Sequence, residues 1–388
     1  MKLLDSTQTT KSFDLYEYIN QFYEIKRNRY TNQIIIRRRT DNKEINKYDL
    51  LMELDKAGVN TSMKKIDYLL KSSIIQEFSP YEEIIKSLPE WTPKDVSHLR
   101  KLADYIHTDD KARFINILYK WTINSILQIL GKGLNDVMLI LVSNQKQGIG
   151  KTILVKNLLS FMDYIQTGQS LLKNIENLPE ASAFYPFILY DEMKGLKKEN
   201  ELLLFKTIIS ADTIEYRKFQ IIYRKPRIAN FIGTADTSEL LFDVSGSRRF
   251  AIIEIENIDF KYSQNIDFRM IWAEAYFYVK NNAYDKLLWT QKDFREFEAY
   301  NIKYYKTSSI EFWIQKYLEP GTPENGQMLT SAEILVLLSE LGVNTSIVSN
   351  TDVRSIGIAL KKLGFKQLYR RRNGKMGRYY LVKIRQKS

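Results

Sequence analysis

The sequence predicts an α/β fold, with a three-layer core between a mostly helical N-terminal domain and a C-terminal winged helix. Short apolar runs of the length of buried strands occur at 137–143, 186–190 and 227–233, and helical segments separate them. Such alternation is typical of a parallel sheet covered by helices. The winged helix is predicted because three helical segments near the end of the chain precede two strands around Asn373 and Gly374.

Changes in pattern divide the chain of 388 residues into four regions. Region 1–130 is predicted to be a mostly helical domain with a short hairpin, and a helix-turn-helix and an oligomerisation collar are both considered for it. The α/β core occupies 131–255, and 256–305 is a helical extension of that core. The winged helix occupies 306–388.

The N-terminal region opens with two predicted strands around a turn at Tyr30–Asn32, and two helices follow. Gly58 is expected to end the first of these helices, and the Thr-Ser pair after it to begin the second. The pentapeptide Gly-Val-Asn-Thr-Ser at 58–62 recurs at 342–346, each time between helical segments. A helix-turn-helix at both ends explains this repeat, and so does a coincidental use of residues that favour helix caps.

The composition excludes several kinds of site. The chain has no cysteine, which excludes a disulfide scaffold, an iron–sulfur cluster, a thiol nucleophile and a Cys-based zinc site. Its two histidines argue against an imidazole-based metal centre. No run approaches the roughly 18 apolar residues that a membrane-spanning helix needs, and the first residues lack a signal-peptide pattern. We therefore expect a soluble cytoplasmic protein without a membrane partner.

The net charge of +12 lies mainly near the end of the chain. Region 306–388 carries 14 basic and 6 acidic residues, whereas 1–130 has a net charge of +3 and 131–305 of +1. We expect a polyanion, namely nucleic acid, to bind such a segment, although a merely soluble basic surface has the same composition.

A glycine-rich segment between the first apolar strand and a helix has the pattern of a phosphate-binding loop. Gly148 and Gly150 let backbone N–H groups approach phosphate oxygens. Lys151 would reach the β and γ phosphates, and Thr152 would place its hydroxyl on magnesium. Gln145 stands where the consensus has its first glycine, and a glycine-rich turn without a ligand is the alternative. The residues expected to bind the nucleotide are Gln147, Gly148, Ile149, Gly150, Lys151 and Thr152.

Polar residues follow the next two apolar strands. The strand at 187–190 ends in Asp191, which can hold the magnesium, and Glu192, which can orient or deprotonate the attacking water. By itself such an acidic pair would be a solvated strand end. The third strand ends in Thr234 and Asp236, where a polar group could sense the γ-phosphate or cap the following helix.

Arg248 and Arg249 follow a glycine turn. A guanidinium that reaches the γ-phosphate of a neighbouring subunit would stabilise charge in the transition state, whereas a structural salt bridge is the alternative for either residue. The candidate catalytic residues are therefore Lys151, Asp191, Glu192, Asp236, Arg248 and Arg249, with Thr152 and Asp191 as the metal ligands.

These motifs, in this order, resemble the virulence-associated protein E family; they are QGIGKT, LYDE, LFKTIISADTIEYRKF with RKPRIANFIGTAD, and FDVSGSRRF. The resemblance covers about 75–305. The family belongs to the superfamily 3 helicases, which are AAA+ type P-loop ATPases of phages and mobile elements. It implies a ring, usually a hexamer, that unwinds DNA and hydrolyses ATP with Lys151, Thr152, Asp191 and Glu192.

The resemblance also bears on the remaining site residues. Asp236 falls where the family usually has Asn, and Arg248 and Arg249 match the pair from which the trans-acting arginine is drawn. Many relatives carry a primase domain upstream, but region 1–130 has no Cys or His cluster for one. We therefore expect a helicase without its own primase, and a separate primase is a candidate partner.

Two basic segments are expected to contact DNA. Segment 216–227 carries five basic residues, no acidic one and interleaved aromatics, which suits single-stranded DNA, and in related helicases pore hairpins lie here. A solvated edge hairpin is the competing explanation, and we favour DNA contact. The residues concerned are Arg217, Lys218, Arg224 and Lys225.

The second basic segment is the predicted winged helix, in which 365–388 has nine basic residues and no acidic one. Phosphate contacts there would give nonspecific duplex binding with a steep salt dependence, whereas a winged helix that contacts protein is the alternative. In its third helix, Lys362 is predicted to be available to DNA as well. The other residues concerned are Arg354, Lys361, Arg370, Arg371, Arg372, Lys375 and Arg378.

Together these features predict an ATP-dependent DNA helicase that hydrolyses ATP between the subunits of a ring and translocates on single-stranded DNA. The alternative is an AAA+ replication initiator or regulator that binds DNA and uses ATP to assemble without unwinding. A small-molecule kinase has little support, because no acceptor-binding motif is found and the basic C-terminus would have no role.

Overall fold

The structure is a computed structural model and confirms a mixed α/β protein. Contacts within the chain divide it into two compact units, Met1–Ser87 and Leu88–Ser388. Residues 88–130 thus lie in the second unit, although the sequence grouped them with the N-terminal region. The residues that the structure describes are 15–143, 146–166, 175–193, 199–236, 240–241, 247–304, 309–343, 353–372 and 374–385.

The first unit packs helices against a four-stranded sheet. Its elements are α1 (Leu15–Phe22), β1 (Tyr23–Asn28), β2 (Ile34–Arg38), β3 (Glu44–Ile45), α2 (Lys47–Lys56), α3 (Met63–Lys71), β4 (Gln76–Phe78) and α4 (Pro80–Lys86). The strand order is β3-β2-β1-β4, and β1 and β2 form the predicted antiparallel hairpin. Ile25 and Ile36 of this hairpin share a buried core with Leu50, Leu54 and Ile66 of α2 and α3.

The turn between α2 and α3 has the predicted caps. Gly58 has a φ of 76°, and the N–H of Val59 donates back to Leu54 O at 2.9 Å. Ser62 Oγ accepts from the N–H of Lys65 at 3.4 Å and begins α3. The second copy of the pentapeptide, at 342–346, lies outside the described residues after Val343.

A six-stranded sheet forms the core of the second unit. Its strands are β5 (Ile106–Thr108), β6 (Met138–Val142), β7 (Tyr164–Gln166), β8 (Phe187–Tyr190), β11 (Asn230–Ala235) and β12 (Phe250–Ile258), in the order β5-β12-β6-β11-β8-β7. All neighbours are parallel except β5, which is antiparallel to β12. Every residue of β6, β8 and β11 is buried, so the three apolar runs are buried parallel strands as predicted.

A separate two-stranded sheet lies between β8 and β11 in the chain. It is the antiparallel hairpin of β9 (Thr213–Lys218) and β10 (Ile221–Pro226). The helices of this part of the second unit are α5 (His98–Leu102), α6 (Lys111–Ile129), α7 (Lys151–Leu159), α8 (Leu178–Phe184), α9 (Glu199–Ile209), α10 (Tyr262–Asn265), α11 (Phe268–Lys280) and α12 (Gln291–Asn301).

Helix α6 joins the second unit because its buried face packs on α11 and on the sheet. Trp121 lies 6.1 Å from Trp272 and 5.9 Å from Phe187, measured between ring centroids. Lys120 Nζ also donates to Asp293 Oδ2 of α12 at 2.7 Å, and both side chains are more than nine-tenths buried. Together with the pairing of β5 and β12, these contacts hold 98–129 on the core.

The last part of the chain contains the three predicted helices and the predicted hairpin. They are α13 (Ser309–Tyr317), α14 (Ser331–Glu340), α15 (Val353–Lys362), β15 (Gln367–Arg372) and β16 (Lys375–Ile384). Two short strands that the sequence did not predict, β13 (Leu318–Pro320) and β14 (Gln327–Leu329), pair antiparallel with β16. A buried core joins these elements, with Ile314, Leu338, Ile356, Leu360 and Tyr380 among its members.

None of the helices within the described ranges combines the length and the apolar character that crossing a membrane requires.

Candidate functional site

The register of the parallel strands brings four polar residues to one edge of the six-stranded sheet. Ala235 is paired with Val142, and Gly233 is paired with Tyr190, so β6, β8 and β11 end side by side. Ser143 follows β6, Asp191 follows β8, Thr234 is the last but one residue of β11, and Asp236 follows that strand. The carboxyl edge of a parallel sheet is where α/β proteins place their ligands.

The predicted phosphate loop leads from this edge into α7. Gly148 and Gly150 have φ angles of 73° and 96°, which a side chain would disfavour. Gly150 is the N-cap of α7, and Lys151 is its first residue. Gln147 and Gly148 are exposed and Ile149 is half-buried, whereas Gln145 lies outside the described residues. The exposed backbone N–H groups at such a helix start attract anions.

Lys151 is bound inside this loop. Its side chain is 5% exposed, and Nζ donates to Ser143 Oγ at 2.5 Å and to Asp236 Oδ1 at 2.5 Å. Asp236 is more open, with 28% of its side chain exposed. The ion pair places Asp236 against the predicted phosphate loop.

Asp191 joins the loop to the ends of two strands. Its Oδ1 accepts from Thr152 Oγ1 at 2.6 Å and from Thr234 Oγ1 at 2.9 Å, and its Oδ2 accepts from Gln166 Nε2 at 2.9 Å. Thr152 and Asp191, the two predicted metal ligands, therefore lie in direct contact. A hydroxyl and a carboxylate are hard oxygen donors, which fit magnesium when phosphates supply further oxygens.

Glu192 has an uncommon backbone conformation. Its φ is 54° and its ψ is 16°, and the next residue, Met193, also has a positive φ of 43°. The Glu192 N–H donates to Thr234 Oγ1 at 2.9 Å, while the residue itself is exposed. Non-glycine residues in the left-handed region are strained, and such strain concentrates at functional sites.

The two arginines lie at the opposite edge of the sheet. Both belong to the short 3-10 turn before β12, and Phe250, the next residue, pairs with Met138 at the start of β6. Since β6 has five residues, roughly 15 Å of strand separates this edge from the phosphate loop. The structure therefore does not bring Arg248 or Arg249 to Lys151 of the same chain.

The environments of the two arginines differ. Arg249 is half-buried, its Nε donates to Ser210 Oγ, and burial, together with the neighbouring Arg248, lowers its pKa. Arg248 is exposed and has no hydrogen bond or ion pair with another described residue. Burial raises the pKa of Asp136, and the charges of both arginines act against that shift.

The basic segment of the core forms the predicted hairpin, β9 and β10. Its tip, Phe219 and Gln220, has positive φ angles of 48° and 66°, and Phe219 is 86% exposed. Lys218 Nζ donates to Glu180 Oε1 at 2.6 Å. Arg224 Nε lies 3.8 Å from Glu215 Oε1.

The other cations of this segment are placed differently. Arg217 is exposed and has no ion pair among the described residues, and Lys225 is half-buried. Arg227 is not part of the hairpin surface. Its guanidinium is buried and donates to Gln128 Oε1 and to backbone carbonyls, and burial lowers its pKa to about 9. Including it in the basic surface of the segment was wrong.

The predicted DNA-contacting residues at the end of the chain lie on α15 and on the β15–β16 hairpin. Arg371 Nε donates to Gly374 O, Arg372 Nη1 donates to Glu333 Oε1 at 3.1 Å, and the Arg378 guanidinium lies 5.9 Å from the Tyr369 ring centroid. The following are exposed: Lys361, Arg370, Arg371, Arg372 and Arg378.

Three other members of this set differ from these exposed residues. The prediction that Lys362 is available to DNA is wrong, because its Nζ donates to Oε2 of the buried Glu311 at 2.8 Å. Arg354 lies on α15 and has an interaction partner. The side chain of Lys375 lies outside the described residues.

Sequence reasoning missed two polar residues of the site, Ser143 and Gln166. Ser143 is the first polar residue after an unbroken apolar strand, a signal equivalent to the one that identified Asp191. Gln166 ends β7, a strand of three residues that is too short to be recognised from periodicity.

Two solved structures are similar to this chain. The C-terminal region (305–718) of NrS-1 in its apo structure shows 14% sequence identity, covers 95% of this chain and 98% of its own, and has a TM-score of 0.49. The A form apo structure of the same region shows 16% identity with equal coverage and a TM-score of 0.46.

No curated protein matches the sequence. The family profile of the Virulence-associated protein E-like domain matches residues 85–306, which is more than half of the chain. This chain is therefore a member of the virulence-associated protein E-like family.

Proposed function

We propose that the protein is an ATP-dependent DNA helicase of a phage or mobile element, with an AAA+ type core that hydrolyses ATP between the subunits of a ring. The observation that carries the proposal is the cluster of Lys151, Thr152, Asp191 and Asp236 at one sheet edge, next to a glycine turn that opens a helix. This combination provides an anion site, two metal-ligand oxygens and a cation in one place.

Each residue has a role in phosphoryl transfer. The N–H groups of the loop and Lys151 bind the phosphates, and Thr152 and Asp191 would hold magnesium. Magnesium, when bound, neutralises charge on the phosphates. Thr234 fixes Asp191 and the backbone of Glu192, and the exposed Glu192 carboxylate orients or deprotonates water.

The position of the arginines supports catalysis between subunits. An arginine at the far edge of the sheet cannot reach its own phosphate loop, but it can reach the loop of a neighbouring copy in a ring. Arg248 is exposed and lacks a described partner, whereas Arg249 is bound to Ser210. We therefore assign the trans-acting role to Arg248 and a positioning role to Arg249.

Two surfaces are proposed to hold DNA. The β9–β10 hairpin offers two exposed residues, Arg217 on β9 and Phe219 at the tip, and cations with aromatic rings suit single-stranded DNA. At the end of the chain the element order helix, strand, strand, helix, helix, strand, strand, with β14 and β15 both paired to β16, supports a winged helix. Its exposed arginines suit the phosphates of a duplex.

The proposal is tested by the substitution Lys151→Ala. We expect loss of ATP hydrolysis and of strand separation on a forked DNA, with an unchanged circular dichroism spectrum. The matched control is Lys156→Ala, on the same helix α7. Normal turnover by the Lys151→Ala protein would exclude an ATPase built on this loop.

The alternative, an initiator or regulator that assembles on DNA without unwinding it, is favoured by one observation. Of the hairpin cations, Lys218 and Arg224 face carboxylates, which lowers the net charge available to DNA. Charge reversal at Arg217 and Arg224 separates the two functions. A helicase should lose unwinding, whereas a regulator should keep both its duplex binding and its ATP-dependent assembly.

A further inference from the structure

Phe260 lies directly against the predicted phosphate loop. A Cβ atom placed on Gly150 would lie 2.5 Å from Cζ and 2.9 Å from Cε1 of Phe260, so the edge of the ring contacts the glycine. Even so, 49% of Phe260 is exposed. The ring therefore occupies the space beside the loop without being buried in the core.

The segment that carries Phe260 is fixed from several sides. The N–H of Asp259 donates to Tyr105 O at 2.9 Å, and Asp259 Oδ1 accepts from the N–H of Lys261 at 2.9 Å. Tyr262 is fully buried, and its hydroxyl accepts from Asn157 Nδ2 of α7 at 3.2 Å. The position of Phe260 relative to α7 is thus built into the fold.

The exposed half of Phe260 is the surface on which a second flat group can pack. The edge of the Phe260 ring points at Gly150. The centroid of the Tyr262 ring lies 6.3 Å from that of Phe260, and the two ring planes make an angle of 28°. A phenyl ring cannot bind phosphate, but it can stack on a nucleobase, and every base has a π-face. Burying half of a phenylalanine against a base also removes apolar surface from water.

We propose that Phe260 stacks on the base of the nucleoside triphosphate whose phosphates bind the loop, and that it favours purines because they offer the larger ring. The inference rests on the proposed ATPase function and adds a base subsite to it. It also gives Gly150 a second role, because any side chain at this position would displace the ring.

The test measures binding to the full-length protein, with magnesium and without DNA, by calorimetry. The ligands are ATP, CTP and inorganic tripolyphosphate, and the variants are Phe260→Ala and Phe260→Trp. Phe312→Ala is the matched control, since Phe312 is 57% exposed and lies far along the chain, on α13.

We expect Phe260→Ala to weaken ATP binding about tenfold to a hundredfold and to leave tripolyphosphate binding unchanged. The loss should be smaller for CTP. Phe260→Trp should bind ATP within about threefold of the original protein, and its added fluorescence should be quenched by ATP but not by tripolyphosphate.

Other results overturn the inference in different ways. Unchanged ATP affinity in Phe260→Ala excludes stacking, and an equal loss for ATP and tripolyphosphate shows that the ring only supports the loop. Equal quenching of Phe260→Trp by both ligands leads to the same conclusion. If the unmodified protein binds neither ATP nor tripolyphosphate, the proposed function itself fails.

Discussion

The ammonium group of Lys151 lies 2.5 Å from Asp236 Oδ1, at the bottom of the loop that is proposed to bind phosphates. A γ-phosphate that binds Lys151 must therefore compete with a carboxylate for the same cation. The carboxylate also carries a negative charge toward the incoming anion. Asp236 thus lowers the affinity for nucleotide in two ways, by holding Lys151 and by repelling the phosphate.

The substitution Asp236→Asn should strengthen the binding of a nonhydrolysable ATP analogue. Removing the charge while keeping the shape leaves Lys151 free to bind phosphate, and we expect the Kd to fall about five- to tenfold, which corresponds to roughly 1–1.4 kcal/mol. Calorimetric titration of both proteins measures the effect. The exposed Asp104, paired with Lys111, provides the control Asp104→Asn. Unchanged or weaker binding in Asp236→Asn would contradict this interpretation of the ion pair.

The substitution Glu192→Gln should separate nucleotide binding from hydrolysis. The amide cannot accept a proton from water, and general bases contribute about 10²- to 10⁴-fold, so kcat should fall in that range while the Kd for ATP stays the same. Glu298→Gln, on the exposed face of α12, is the control.

Glu192→Gly adds a test of the backbone. Glycine accepts a φ of 54° without strain, so this variant should melt no earlier than the original protein while losing hydrolysis. A large loss of stability in either Glu192 variant would show that the residue is structural.

The sequence predicted the parallel strands and the residues at their ends, because unbroken apolar runs and the polar residues after them are local signals. It could not show that Asp191 bonds to Gln166 or that Arg227 is buried, because both depend on packing between distant segments. The sequence grouped residues 88–130 with the N-terminal domain because their packing on the second unit also depends on contacts between distant segments. Helical periodicity in α6 shows that one face is buried but does not show that α11 covers it.

The two arginines at the far edge of the sheet should behave differently when substituted. Arg248→Ala should lower kcat by about 10³-fold or more if its guanidinium reaches a neighbouring site, with little change in melting temperature. Arg249→Ala should lower the melting temperature, because it removes the half-buried contact with Ser210.

Mixing the inactive Arg248→Ala and Lys151→Ala proteins then tests action between subunits. In a ring, a Lys151→Ala subunit can supply Arg248 to the intact loop of its neighbour, so the mixture should regain part of the ATPase activity. No recovery on mixing, with both proteins still forming oligomers, would exclude the assignment of Arg248.

The buried pair Lys120–Asp293 should dominate the stability of the contact between α6 and α12. Lys120→Met leaves a buried carboxylate without its cation, and we expect the free energy of unfolding to fall by about 3–5 kcal/mol at neutral pH. Adding Asp293→Asn should restore most of this loss, because the amide oxygen still accepts from Thr290 and no charge remains. Lys111→Met, which breaks the exposed pair with Asp104, should cost less than about 1 kcal/mol.

The pH dependence of this pair has a definite sign. Burial alone would raise the pKa of Asp293, but hydrogen bonds from Lys120 and Thr290 lower it below its usual value. The pair therefore stabilises the folded protein above the unfolded pKa of about 3.9, and this contribution is lost as the pH falls through the lowered value. In Lys120→Met the cation is gone, and burial favours the neutral form of Asp293. Protonation of this carboxyl as the pH falls therefore stabilises that variant. The difference in unfolding free energy between the two proteins, measured by urea titration, should thus be largest near pH 7 and shrink toward pH 4. A difference that is independent of pH would mean that Asp293 is not charged in the folded protein.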